Sequence, residues 1–317
     1  MAKLSFYSSL VEKSTQFNQS DPINYTIDNA SQFTTWYDQM KATVQAGQQY
    51  DNFFRGITEA RYKLYNAAQR YWIRNNLMDV EGLAQPLSYM QMIQNMVDNA
   101  KEVKLLQQVF AYYGLTKDQQ DFPLLSILQH YNAPTPLMDW TYDLDIALYF
   151  AIDGIAKSEV DNVIEDYVSV YRVNKNVHST FISDNLNNAS ANIFPSVQVL
   201  TGYLQPGQVM YISDFEVQNN RLIKPLTTYY NLNILAQKGL FIFNPHEKMP
   251  LEEFPISYPG AGQTPDNRIF CYNINKDLAE LIRYRIGRED INERFIYPEL
   301  KSYAQNILTD YLKFVIG

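Results

Sequence analysis

Near residue 166 the spacing of apolar residues changes from helical to alternating. That change restricts the possible architectures more than any other property of the chain. Upstream, "SQFTTWYDQMKATVQAG" puts Phe33, Trp36, Met40 and Val44 on one helical face, with Ser31 as the N-cap. "DNFFRGI" is a short aromatic strand candidate broken by Gly56, and "ARYKLYNAAQRYWIRNNL" predicts a helix carrying Leu64, Ala68, Tyr71 and Trp72. Pro86 opens a long helical run with Met90, Ile93, Val97 and Ala100 in register, and Gly114 ends it. Asp121 caps "DFPLLSILQHY", and Asp143 caps an apolar helix through Ala156. Downstream, "DYVSVYRV" alternates, with Val168 and Val170 on one face. "GQVMYISD", "GLFIF" and "RIFCYNI" are further strand candidates, interspersed with helices in "TTYYNLNILAQ" and "KDLAELIRYRIG". Pro298 starts a terminal helix.

Helices first, then strands mixed with helices, predict an α+β fold: a helical N-terminal half packed on a mixed, mostly antiparallel sheet. No solenoid-length repeat or low-complexity linker divides the chain. Residues 1–44 are expected to form an N-terminal helical cap, and 45–317 the α+β domain.

Charge narrows the partners. With 26 basic and 34 acidic residues the chain carries −8 and a pI near 5.0, which disfavours a broad nucleic-acid surface. Cys271 is the single cysteine, so no intrachain disulfide forms and a reducing compartment is expected. "MAKLSFYSSLVEKSTQ" lacks the apolar run of a signal peptide, and "IALYFAI" is too short to span a bilayer. The expectation is a soluble, cytoplasmic protein without membrane contact. The 25 Tyr and 17 Phe supply rings with polar tips, suited to core margins and to the walls of clefts.

Familiar catalytic signatures are missing. There is no Gly-Lys-Ser/Thr phosphate loop, no Gly-rich dinucleotide fingerprint and no His-Glu-x-x-His. His130, His178 and His246 are far apart without cysteine companions, so no metal site is expected. Three places remain. Arg55 in "FFRG" offers a planar five-donor fork to a phosphate or carboxylate, and Gly56 permits close backbone approach. The alternative is an arginine paired with a carboxylate at the core edge. In "LQHYNAPTPLMDWTYDLDIALYFAID", the segment Asn132–Thr141 reads as a turn. Asp139 would tie it together, Thr141 would cap the following helix, and His130, Tyr131 and Trp140 would wall a pocket. In "LAQKGLFIF", Gln237 and Lys238 meet Gly239 at a turn into a strand.

"FFRG" with "LQHYNAPTPLMDWTYDLDIALYFA" resembles the FRG domain, a bacterial and phage family named after its Phe-Arg-Gly. "AQKGLF" and "DINERFIYPELKSYAQNI" resemble its later elements, so the likeness covers about residues 45–310. Asn132 stands where the family usually has Gly, Pro136 where it often has Arg, and Ile57 where Gln is common. A weaker likeness links Arg55, Thr141 and Gln237, in that order, to ADP-ribosyltransferases, and implies a split in the sheet. Those enzymes hold NAD with an Arg and a Ser/Thr segment and cleave it with a late Glu. This likeness implies NAD as a substrate, no permanently bound cofactor, and catalytic positions at Gln237 and Thr141. Arg55, Gly56, His130, Tyr131, Asp139 and Trp140 would bind the ligand. Gln237 is not a carboxylate and supplies no negative charge to a developing oxocarbenium ion, so cleavage is expected to be slow or absent; Glu252 and Glu253 are the nearby replacement acids. The alternative is a non-catalytic module binding a nucleotide or a protein, its shared residues serving the fold.

Overall fold

In the computed structural model, the strand carrying Arg55 sits in the middle of the sheet. The structure describes residues 3–17, 26–45, 52–79, 87–112, 121–155, 163–174, 181–182, 197, 209–213, 216–218, 221–223, 232–253 and 269–298. The first half contains α1 (Leu10–Phe17), β1 (Thr26–Ile27), α2 (Ala30–Gln45), β2 (Asn52–Ile57), α3 (Ala67–Arg74), α4 (Tyr89–Lys101), α5 (Lys104–Tyr112), α6 (Asp121–His130), β3 (Leu137–Thr141) and α7 (Leu144–Ile152). Beyond it come β4 (Tyr167–Asn174), β5 (Phe181–Ile182), β6 (Val209–Ser213), β7 (Glu216–Gln218), β8 (Arg221–Ile223), α8 (Leu232–Ala236), β9 (Gly239–Phe243), β10 (Ile269–Asn275), α9 (Ala279–Gly287) and α10 (Glu293–Ile296). The fold is α+β, as expected.

Among the described residues one sheet has eight strands in the order β1-β10-β4-β2-β3-β9-β6-β5, while β7 and β8 form a separate pair. The outer pairs β1/β10 and β5/β6 are parallel and the five inner pairings antiparallel. Strand β2 runs along β4 from Asn52↔Asn174 to Ile57↔Ser169. It meets β3 at one pair, Phe54↔Thr141, and then diverges. The sheet is split there.

Three apolar clusters hold the layers. Phe53, Met138, Trp140, Tyr171, Leu240, Ile242 and Cys271 form a cluster on one face, across both halves of the sheet. On the other face, Phe54, Val170 and Tyr272 pack under α2, α7 and α9. Leu137, Phe241 and Phe243 pack beside them under α3, α4 and α6. Phe33, Trp36, Tyr37 and Met40 of α2 enter the same cluster as Phe54, so α2 shares a core with the strand carrying Arg55. Lys13 of α1 is also fully buried, donating to the Ala60 carbonyl at 2.6 Å and to Ser169 Oγ at 2.7 Å.

Several local expectations change. Asn29, not Ser31, caps α2, its side chain accepting from Gln32 N at 3.0 Å. The helix expected from Ala60 starts only at Ala67. Asn66 caps it, accepting from Gln69 N while the Gln69 side chain accepts from Asn66 N. The residues before it form a turn at 60–61 and then an irregular stretch, because Ala60 N and Leu64 N bond to Tyr167 O and Glu252. The long run from Pro86 is two helices: Glu102 N and Val103 N turn back to Asn99 O and Ala100 O, and Lys101 pairs with the buried Asp121. The segment read as a turn from Asn132 to Thr141 is a strand from Leu137 onward. The run beyond Pro298 lies outside the described residues.

Candidate functional site

The split between β2 and β3 opens into a cavity of about 350 Å³. Arg55, Gly56, His130, Asp139, Trp140, Thr141 and Gln237 all line it. Residues up to 182 positions apart in the chain therefore meet at one place, between the two clusters on the second face of the sheet.

Arg55 anchors the site. Its Nη1 donates to the backbone carbonyl of Asp139, so a side chain bridges the gap where a strand pair would use backbone groups. Its Nε is buried and has no acceptor. Burial pushes the guanidinium pKa down, and the nearby Asp139 partly offsets this. No carboxylate among the described residues lies within ion-pair distance of it, so the core-edge pair considered as an alternative is not formed.

Asp139 alternates with apolar neighbours along β3, leaving its carboxylate on the cavity side. One carboxylate oxygen accepts from Gln129 Nε2 at 2.7 Å, and the Gln129 carbonyl accepts from Thr135 Oγ1. Thr141 donates its hydroxyl proton to Gln237 O at 2.7 Å and accepts from Asp143 N at 2.9 Å. It thus shapes the entry to α7, but the cap is Asp143, which accepts from Asp145 N.

Gln237 is 9% exposed, and its Nε2 donates to the Ile296 carbonyl at 3.0 Å, tying α10 to the floor. His130 ends α6, and its Nδ1 lies 3.1 Å from the Asn233 side-chain amide nitrogen.

The other expected placements hold only in part. Tyr131 is 76% exposed and stacks edge-on against His130, outside the cavity lining. Trp140 lines the cavity, but its ring is buried and packs edge-on against Phe53 at 5.6 Å. The aromatic wall is instead Phe150 with Tyr297, ring centres 6.4 Å apart. Gly56 serves α7: a Cβ there would meet Ala147 O at 1.9 Å and Ala151 N at 2.6 Å. The two alanines, one helical turn apart, give the strand its groove. Glu252 and Glu253 do not line the cavity; Glu252 is buried with Tyr7 and Leu64 N, and Glu253 pairs with Lys63.

Asn132 has φ +61° and ends α6. Its N–H returns to Gln129 O and that of Ala133 to Leu128 O, a closure that needs a left-handed residue. Glycine takes that conformation most readily and asparagine next, which accounts for Asn at a position where the resemblance expects Gly.

Residues 50–160 match the family model described as FRG domain. Over that segment the chain is similar to the FRG domain. No curated protein and no solved structure matches the chain. The matched segment runs from just before β2 to just past α7, and so contains both strands at the split and the helix packed on Gly56. Asn233, Ile234, Gln237 and Tyr297 complete the cavity from outside it. Sequence reasoning missed Gln129, Phe150 and Tyr297 as lining residues, although all three stand in segments that carry the resemblance. Among the described residues, no group of three His, Cys, Asp or Glu is placed to hold a metal ion, and no helix is long and apolar enough to cross a membrane.

Proposed function

We propose that the cleft of this FRG-like domain binds a nucleotide, with NAD as the best-fitting candidate, and turns it over slowly or not at all. The observation that carries this reading is the convergence of Arg55, His130, Asp139, Thr141 and Gln237 on one cavity at the split in the sheet. Each group suits a different part of such a ligand. The Arg55 fork, with a buried Nε–H lacking an acceptor, suits a phosphate oxygen. The free lone pairs of the Asp139 carboxylate suit ribose hydroxyls, and Phe150 and Tyr297 suit a flat ring.

Cleavage of the nicotinamide bond needs negative charge near the ribose as positive charge develops. Gln237 offers none, and its amide is committed to Ile296. A thermal melt with excess NAD, with nicotinamide release followed by chromatography in the same sample, tests both halves. The melting temperature should rise with little release; a ligand at about 100 times its Kd stabilises by about 2.7 kcal/mol. An unchanged melt rejects the NAD reading. Rapid release would make the domain an enzyme and Asp139 its acid, and Asp139→Asn would then abolish it.

A further inference from the structure

Arg55 also lines a second cavity, of about 200 Å³, with Arg70, Arg74, Lys63, Phe6 and Tyr62 among its other walls. We infer that this cavity is a separate anion site that takes a phosphoryl group between Arg70 and Arg74 of α3 and Arg55 of β2. The inference goes beyond the NAD reading, because Arg70 and Arg74 do not line the first cavity.

Charge balance is the first support. Lys63 is neutralised by Glu253 at 2.6 Å. Arg55, Arg70 and Arg74 have no carboxylate within ion-pair distance among the described residues. Three uncompensated guanidinium groups around one small cavity repel each other, in a chain whose net charge is −8. Burial first, then Arg55 and Arg74, push the pKa of Arg70 down to about 10, so it stays cationic at neutral pH. A bound dianion removes that repulsion.

Geometry is the second. Arg70 and Arg74 are one helical turn apart and lie on the same side of α3. Arg70 Nη1 donates to Tyr65 O at 2.6 Å, which fixes the guanidinium in place. The negative end of the α3 dipole favours Arg74 in the last turn, but it does not account for Arg55 or Arg70. Planar forks converging on one space suit the oxygens of a phosphate better than a single carboxylate.

Calorimetric titration of the full chain with inorganic pyrophosphate and with AMP tests the inference. Wild type should bind at least one of them. Arg70→Gln combined with Arg74→Gln should weaken that binding roughly tenfold or more. His130→Ala, in the other cavity, should change pyrophosphate affinity less than about twofold. Binding of pyrophosphate alone identifies a free inorganic anion as the occupant; binding of AMP identifies a nucleotide phosphate, and both support the site. Pyrophosphate binding without NAD binding keeps this inference while rejecting the NAD reading. NAD binding undiminished in the double variant, with neither probe bound by wild type, overturns the inference and leaves the NAD reading intact. If the double variant melts early, the exposed Arg74→Glu replaces it. Probe affinity unchanged by that charge reversal also overturns the inference.

Discussion

The two edges of β2 behave differently. Toward β4 the strand is closed by a ladder running its whole length, and the clusters on both faces are apolar. Toward β3 it makes one pair and parts. On that side an arginine side chain replaces the ladder, and polar groups from α6, β3 and the end of α8 fill the space. Backbone groups leaving a ladder need other partners, and a gap that supplies them with side chains is already lined for a polar ligand. The closed edge is where the fold is held, and the open edge is where binding is proposed.

The largest effect should come from Gly56, which lies where the closed edge passes under α7. Gly56→Ala puts a methyl group into the backbone of Ala147 and Ala151, and neither strand nor helix can yield locally. The variant should lose more than about 3 kcal/mol or fail to fold, as read by denaturant unfolding. A near-normal midpoint would show that α7 shifts easily and that the closed edge is less rigid than described.

Gln237→Glu tests the open edge. The carboxylate would face the Ile296 carbonyl in place of a donor. A cost of about 1–3 kcal/mol is expected, in line with an unsatisfied buried acceptor. Nicotinamide release should not rise. A gain in release without loss of stability would mean that the side chain turns into the cavity and that the tie to α10 is dispensable.

The pH dependence separates the two edges again. Burial raises the pKa of Glu252, beneath the closed face, above its ordinary value of 4.5. Between that value and the folded one, the native state holds a proton that the unfolded chain has released. Stability contributed by this group is therefore present at low pH and falls as pH rises through the window. Glu252→Gln should flatten that part of the wild-type stability curve. A slope unchanged by the substitution would place its origin elsewhere.

Smallest is the helix end beside the cleft. Asn132→Gly should stabilise by about 0.5–1 kcal/mol, because glycine adopts the left-handed conformation without a Cβ penalty. Destabilisation would indicate that the asparagine side chain itself holds the turn.

The sequence showed the closed edge better than the open one. Strands β4, β9 and β10 were legible because apolar residues alternate, or run unbroken, where both faces are buried. Strand β3 was not: Pro134, Pro136 and Asp139 made it look like a turn, and Asp139 is polar because the neighbouring strand leaves. Arg55, Thr141 and Gln237 were singled out by residue type and position before any family resemblance joined them, and the fold brings them together. The role of Gly56 was misread because close approach by a helix and close approach by a ligand give the same residue. Tyr131 was misplaced because it follows His130 at the end of α6 with its ring exposed, and nothing in the local pattern of polar and aromatic residues separates that exposed ring from the lining ones.

The central claim is that the open edge of β2 is a nucleotide site organised by Arg55. Calorimetric titration of NAD into wild type and Arg55→Lys, with a parallel melt of each, tests it most directly. Lysine keeps the charge but loses the planar fork, so affinity should fall roughly tenfold or more while the melting temperature changes little. No binding by wild type, or a large fall in melting temperature with affinity retained, would contradict the account and assign Arg55 to the fold alone.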